Sequence, residues 1–262
     1  MIRSRGLYSL LISTLLLSQV SSAQQSPIDS FPSGCWRDAR NLFHFPRYYQ
    51  SSDTWLLAGG AICTGAAFFA DESLEQYLRA QNIREEKWTN RSDVFSAVGN
   101  GILPGIGAVV LYAAGEYGHR DEWKRTALLQ MKTLVFAAGV SRIPKLLAQR
   151  HRPETDINAW RWEGPFNGFT GNYSFTSGHT FIAFSWAAVT AHSMKENRGW
   201  GIAAYTLAGL TGASRIYQGE HWLSDVVGGA LLGTLFGKLM WRIQQPYESR
   251  KKRKIVQNNP FQ

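Results

Sequence analysis

Largely apolar runs recur along the chain at 54–70, 94–115, 126–149, 175–194, 199–214 and 226–241, separated by charged or Pro/Gly-containing segments. Alternating strand patterns are weak throughout, so the predicted class is all-α: a helical bundle of about six core helices with the active site at one end. The run 94–115 is uncharged and long enough to span a bilayer, though Asn100 and Pro104 interrupt it, whereas 126–149 carries Lys132, Arg142 and Lys145 and is not a clean lipid-facing segment. Residues 71–93 are charged and read as helical in part. The last helix is expected from about Glu220 to Ile243, where Gly229, Gly233 and Gly237 recur at every fourth residue as a close-packing stripe. Gly101 and Gly105 have the same spacing. Between the third and fourth runs, residues 150–178 read as a long loop with Pro153 and Pro165, and loops of that length are commonly functional.

The ends read differently from the middle. Arg3 and Arg5, the apolar stretch Leu7 to Val20 and the small residues Ser21-Ser22-Ala23 make residues 1–23 a signal peptide, with a mature start near Gln24. Residues 24–53, with Pro27, Pro32 and Pro46, read as an irregular entry segment, 54–244 as the helical domain and 245–262 as a basic tail containing Arg250 to Lys254. Six spanning runs conflict with that signal. A basic tail inside the cell puts the start of the last helix outside. Counting back through six spans then puts residue 53 inside, whereas export puts residue 24 outside. Either 54–70 does not cross, or the signal is misread, or the whole chain is exported. Only two runs hold 18 or more uncharged residues, the usual length of a span.

Composition narrows the partners. The formal charge of +9 favours phosphates, anionic headgroups or nucleic acid, and no nucleic-acid-reading motif supports the last. Ten Trp and ten Tyr suit a membrane boundary. A mean hydropathy of -0.22 is low for a chain made mostly of lipid-exposed helix. Membrane association is the expectation, in the cell envelope with the site facing the periplasm or exterior; a soluble periplasmic protein is the alternative. Cys35 and Cys63 permit one disulfide and do not form a metal-binding pattern.

Three segments place charged or nucleophilic groups in apolar surroundings. Ser214 to Asp225 sets His221 and Asp225 four residues apart, on one face of a helix that starts near Glu220. A carboxylate beside an imidazole holds one tautomer and makes the other nitrogen a better nucleophile, and Arg215 adds a permanent cation. Lys145 and Arg152, seven apart and ended by Pro153, fall on one helical face. Thr176-Ser177-Gly178-His179 precedes an apolar helix whose N-terminal amides would cradle a phosphate. Singly, these are as well explained by a capped helix, two surface cations and an ordinary N-cap. Together they supply the cations, amides and histidines that phosphoryl transfer requires.

These residues resemble the type 2 phosphatidic acid phosphatase and vanadium haloperoxidase superfamily. Its signatures are Lys-x6-Arg-Pro, Pro-Ser-Gly-His and Ser-Arg-x5-His-x3-Asp. The first and third match intact at Lys145 to Pro153 and Ser214 to Asp225, and the second carries Thr176 in place of proline, which should loosen the loop slightly. The resemblance implies a phosphatase without metal or other cofactor. In it His221 is the nucleophile that forms a phosphohistidine, Asp225 orients it, and His179 is the general acid. Lys145, Arg152, Ser177, Gly178 and Arg215 bind the phosphate. The implied substrate is a phosphomonoester or diphosphate, foremost of a lipid: phosphatidate, phosphatidylglycerophosphate or a polyprenyl diphosphate. A soluble acid phosphatase of broad specificity, a vanadium-dependent haloperoxidase and a non-enzymatic lipid-phosphate binding or transport protein are the alternatives. The loop around Trp160, Trp162 and Phe166 is the candidate selector of substrate.

Overall fold

The computed structural model describes residues 31–81, 86–165, 171 and 173–258; the signal-peptide segment and Phe166 lie outside them. The helices are α1 (Phe31–Leu42), α2 (Ser51–Ala80), α3 (Glu86–Gly99), α4 (Ile102–Tyr117), α5 (Asp121–Val140), α6 (Arg142–Ala148), α7 (Gly178–Ser193), α8 (Arg198–Tyr217) and α9 (Leu223–Asn258). Among the described residues, extended pairing is confined to one β-bridge, Arg150 with Trp162. The expected all-α bundle is therefore present. Residues 1–37 and 38–262 are separate compact units, and the described part of the first is the opening of α1.

Helix α7 is the axis of the larger unit. On one side Phe181 and Val189 pack with Leu129 and Ala137 of α5 and with Phe236 and Met240 of α9. On another, Ala183 and Ala187 meet Val98 of α3 and Ala204 and Ala208 of α8. The glycine stripe explains how α9 fits. A β-carbon on Gly229 would lie 2.7 Å from the Ser177 carbonyl oxygen, one on Gly233 2.4 Å from that of Phe181, and one on Gly237 2.3 Å from that of Ser185. The stripe thus runs parallel to α7 at backbone contact. Gly233→Ala must push against a backbone carbonyl and is expected to cost about 1–3 kcal/mol. Gly59→Ala, with nothing within 4 Å of the added carbon, serves as the unperturbed control in thermal unfolding.

Several element boundaries differ from expectation. The entry segment 24–53 is not irregular throughout: it contains α1, a 3-10 turn at Phe45–Tyr48 and the start of α2. Pro32 and Pro46 sit in first turns, where a missing N–H removes no helical bond. Asp53 lies inside α2 at its third position and accepts the Gln50 N–H at 3.1 Å, closing a capping box. The run 94–115 is split between α3 and α4 at Gly101, whose φ is +84°, and a β-carbon on Gly105 meets nothing within 4 Å, so this glycine pair is not a packing stripe. The run 126–149 divides between α5 and α6 at Ser141. Its Lys132 is buried and donates to Asp38 at 3.0 Å, so this cation belongs to the core. Helix α9 continues past Ile243, so the basic tail is helical to Asn258.

Among the described residues, two helices are long and apolar enough to cross a membrane: α2 and the Leu223–Gln245 part of α9. They are antiparallel neighbours. Asp71 of α2 meets Ser224, and Lys238 and Arg242 both donate to Asp53 at the opposite end. Helix α2 presents Trp55, Ile62 and Phe69 outward at 78%, 72% and 80% exposure, and α4 presents Ile102, Ile106, Val109 and Val110.

Candidate functional site

The three sequence segments converge where α7 and α9 begin and α8 ends. Helix α6 ends at Ala148 because Gln149 takes a left-handed conformation (φ 46°) and returns its N–H to the Lys145 carbonyl at 3.0 Å. Arg152 therefore lies beyond the helix, and Lys145 and Arg152 do not share a helical face as the spacing suggested. They approach the site from a helix and from a loop. That loop is tied to α2: Arg79 donates to the Pro153 carbonyl at 2.5 Å, and the Ala159 N–H donates to Glu72 at 2.9 Å.

Ser177 is the N-cap of α7. It is fully buried and accepts the Thr180 hydroxyl at 2.9 Å. Its own N–H donates to the Asp225 carbonyl at 3.0 Å, joining the start of α7 to the first turn of α9. Thr176, which stands where the signature has proline, is fully buried, and its methyl lies 3.3 Å from where a β-carbon on Gly228 would stand. Gly178 leaves room for Lys145, whose Cε would be 3.3 Å from an added β-carbon. The Lys145 ammonium donates to the Tyr173 carbonyl at 2.6 Å. His179 follows on α7, and Gly99 lets α3 approach it, since a β-carbon there would fall 2.5 Å from the His179 Cβ.

Arg215, at the end of α8, is buried and donates to Ser96 at 2.6 Å. It also pairs with Glu220, which Arg152 meets at 3.7 Å. Glu220, absent from the expected site, thus bridges the two arginines.

His221 precedes α9, which starts at Leu223 and not near Glu220. The imidazole is 2% exposed, and its Nδ1 lies 3.7 Å from Asp225 Oδ2. That separation is too long for a hydrogen bond, and Nδ1 has no partner. Asp225 is instead held by other donors. Its Oδ2 accepts the Ser174 hydroxyl and the Trp222 N–H (2.9 Å), and its Oδ1 accepts Arg150 at 2.7 Å. Arg150 and Ser174, like Glu220, were missed by sequence reasoning. Arg150 lies in the gap between Lys145 and Arg152, and nothing local marks which of these cations points inward.

Charge states follow from this geometry. Burial, reinforced by Lys145 and Arg152 and opposed by Asp225, lowers the His221 imidazole from 6.5 to about 4. Burial, then Arg215, does the same to His179, also to about 4. Burial and Arg152 bring Lys145 down to about 8, which leaves it charged at neutral pH. The site at pH 7 thus holds two neutral imidazoles among three cations. Between pH 6.5 and 4 the unfolded chain protonates these histidines and the folded one resists, so stability is expected to fall as pH drops through that window. Thermal unfolding across pH 4–8 checks this; a midpoint that rises on acidification over the same window contradicts it.

A family model, PAP2 superfamily, matches residues 126–248, which include all three segments. That match covers a little under half of the chain. The chain is 29% identical over 161 residues to the lipid A 1-phosphatase of Porphyromonas gingivalis, covering 60% of this chain and 33% of that protein. It is 29% identical over 196 residues to phosphatidylglycerophosphatase B of Bacillus subtilis, covering 69% of this chain and 86% of the relative. It thus spans about a third of the first relative and most of the second. In fold it is similar to a transmembrane PAP2-type phosphatidylglycerolphosphate phosphatase from Bacillus subtilis, with a TM-score of 0.53 and 21% identity over 77% of this chain and 98% of that one.

Proposed function

We propose that this chain is a metal-independent lipid phosphatase of the PAP2 superfamily acting through a phosphohistidine. The observation that carries the reading is a buried, neutral His221 beside a fixed carboxylate, facing a cluster of Lys145, Arg152 and Arg215. A neutral imidazole can attack phosphorus, and a buried one is spared competing hydration. The three cations and the Gly178 N–H at the start of α7 take the equatorial oxygens, while the Ser177 N–H stays on the Asp225 carbonyl. Burial first and then Arg215 depress His179, and the negative charge of an arriving phosphate opposes both, so this imidazole gains a proton and can give it to the leaving oxygen. In the second step the same nitrogen takes a proton from water, which attacks the phosphohistidine and frees His221.

A lipid substrate is favoured by two observations. Helices α2 and α9 are of membrane-crossing length, and α2 turns large apolar side chains outward. The related proteins named for lipid A and phosphatidylglycerophosphate support the same class. We place these helices in the membrane with the site at the outer face and 245–262 as a basic tail on the inner side; Asp53, beside Arg242, then lies on the inner side, so of the alternatives above this reading takes the one in which the signal at 1–23 is misread. The test is a comparison of phosphatidate, phosphatidylglycerophosphate, a polyprenyl diphosphate and a soluble phosphomonoester in detergent. Chelator-resistant turnover preferring a lipid, inhibited by vanadate, is expected. Preference for the soluble ester points to the broad acid phosphatase, halide oxidation after vanadate loading to the haloperoxidase, and binding without turnover to a transport protein.

A further inference from the structure

The buried cation Arg150 has a role distinct from that of the three phosphate-facing cations. Its guanidinium is fully enclosed, and each nitrogen has a protein acceptor. Nε donates to the Ala159 carbonyl at 2.9 Å, one terminal nitrogen to Ser224 and Asp225 at 2.7 Å each, and the other to Asp71 at 2.8 Å. The rings of Phe68, Trp162 and Trp222 lie 4.7, 5.0 and 5.3 Å from its central carbon. A guanidinium so covered has no face left for a phosphate. Asp71, also fully buried, accepts the Ser224 N–H at 2.9 Å and its hydroxyl at 2.6 Å, so it holds the first turn of α9 as well as Arg150.

We propose that Arg150, held by Asp71 from helix α2, is a positioning residue for the reaction proposed above: it fixes the Asp225 carboxylate, and through it the ring of His221. Arg150, Ser174 and the Trp222 N–H set the Asp225 orientation without help from His221, which stands 3.7 Å away. The carboxylate is thereby set in advance for the moment when His221 becomes cationic and needs a partner. The Asp71 contact makes α2, one of the two long apolar helices, part of the catalytic support.

This inference rests on the phosphatase reading, and its test separates the two. Asp71→Asn leaves Arg150 and Asp225 as a charge-matched pair, and Arg150→Lys keeps the charge while losing the planar fork, so both avoid an uncompensated buried charge. Each is expected to lower kcat about 10–100-fold, the range for partners that orient a reacting group. KM and the inhibition constant of inorganic phosphate should stay within about twofold of wild type, in protein shown folded by circular dichroism. Arg215→Met, by contrast, should weaken inorganic phosphate. Unchanged kcat in both variants overturns the proposal, as does an inorganic-phosphate affinity that falls in step with kcat, which would place Arg150 among the phosphate ligands. Should the wild-type protein turn over no phosphoester, the phosphatase reading fails while the positioning claim is decided by NMR of the His221 ring. Shifted ring signals in Asp71→Asn and Arg150→Lys uphold it, and unshifted signals overturn it.

Discussion

Replacing His221 by alanine is expected to lower kcat on the preferred lipid phosphate by about 10⁴-fold or more, the scale on which covalent nucleophiles are lost from other hydrolases. No neighbouring group can substitute. Lys145, Arg152 and Arg215 are cations without a free electron pair at neutral pH, and Asp225 is enclosed by its donors. His179, on α7, is the general acid in the proposed mechanism and serves the leaving group. The fold should survive the change, because the imidazole is a desolvated group whose Nδ1 has no hydrogen-bond partner. Single-turnover assays with a radiolabelled phosphate report both points: no acid-labile phosphoenzyme forms, while circular dichroism and binding of inorganic phosphate persist. Retained chelator-resistant turnover in this variant would falsify the nucleophile assignment. Loss of the folded circular-dichroism signal together with activity would instead make His221 a structural residue.

Asp225→Ala is expected to damage stability and catalysis together. The carboxylate is fully buried and takes hydrogen bonds from Arg150, Ser174 and the Trp222 N–H. Its removal strands those donors, and breaking a buried pair by deleting one partner typically costs about 3–5 kcal/mol. Asp71 still balances the Arg150 charge, so the loss should fall at the lower end of that range. Asp225→Asn keeps the shape and one acceptor oxygen, and is expected to fold close to normally. Its kcat should nonetheless drop by about 10³–10⁴-fold, as when a carboxylate that orients a catalytic imidazole becomes an amide. Thermal unfolding and kcat of the two variants, measured side by side, separate the structural and catalytic parts. Equal stability of the alanine and asparagine proteins would contradict the hydrogen-bond account. Near-normal turnover in Asp225→Asn would contradict the orienting one.

The fit of α9 against α7 was legible in the glycine spacing, because only a side-chain-free stripe at every fourth residue admits a backbone at 2.3–2.7 Å from a hypothetical β-carbon. The boundaries of the long runs were not. Lack of charge marks a segment as apolar, but the breaks at Gly101 and Ser141 depend on local backbone geometry that composition does not report. The shared helical faces proposed for Lys145 with Arg152 and for His221 with Asp225 failed for a related reason. A spacing of four or seven has meaning only inside a continuous helix, and each pair straddles a helix end.

The sequence by itself determined the class of fold, the three segments that build the site and the residue types that can handle a phosphate. Each of these is carried by local pattern: apolar periodicity, small residues at a helix start, a histidine and a carboxylate at fixed spacing. Only the tertiary structure decided which cation serves which purpose. Lys132 is drawn into the core by Asp38, Arg215 is bridged to Arg152 through Glu220, and Arg150 turns inward to two carboxylates. The physical reason is that a cation's role depends on the anions and rings that surround it once the chain is folded. For Arg150 those partners, Asp71 and Asp225, stand 79 and 75 residues away along the chain.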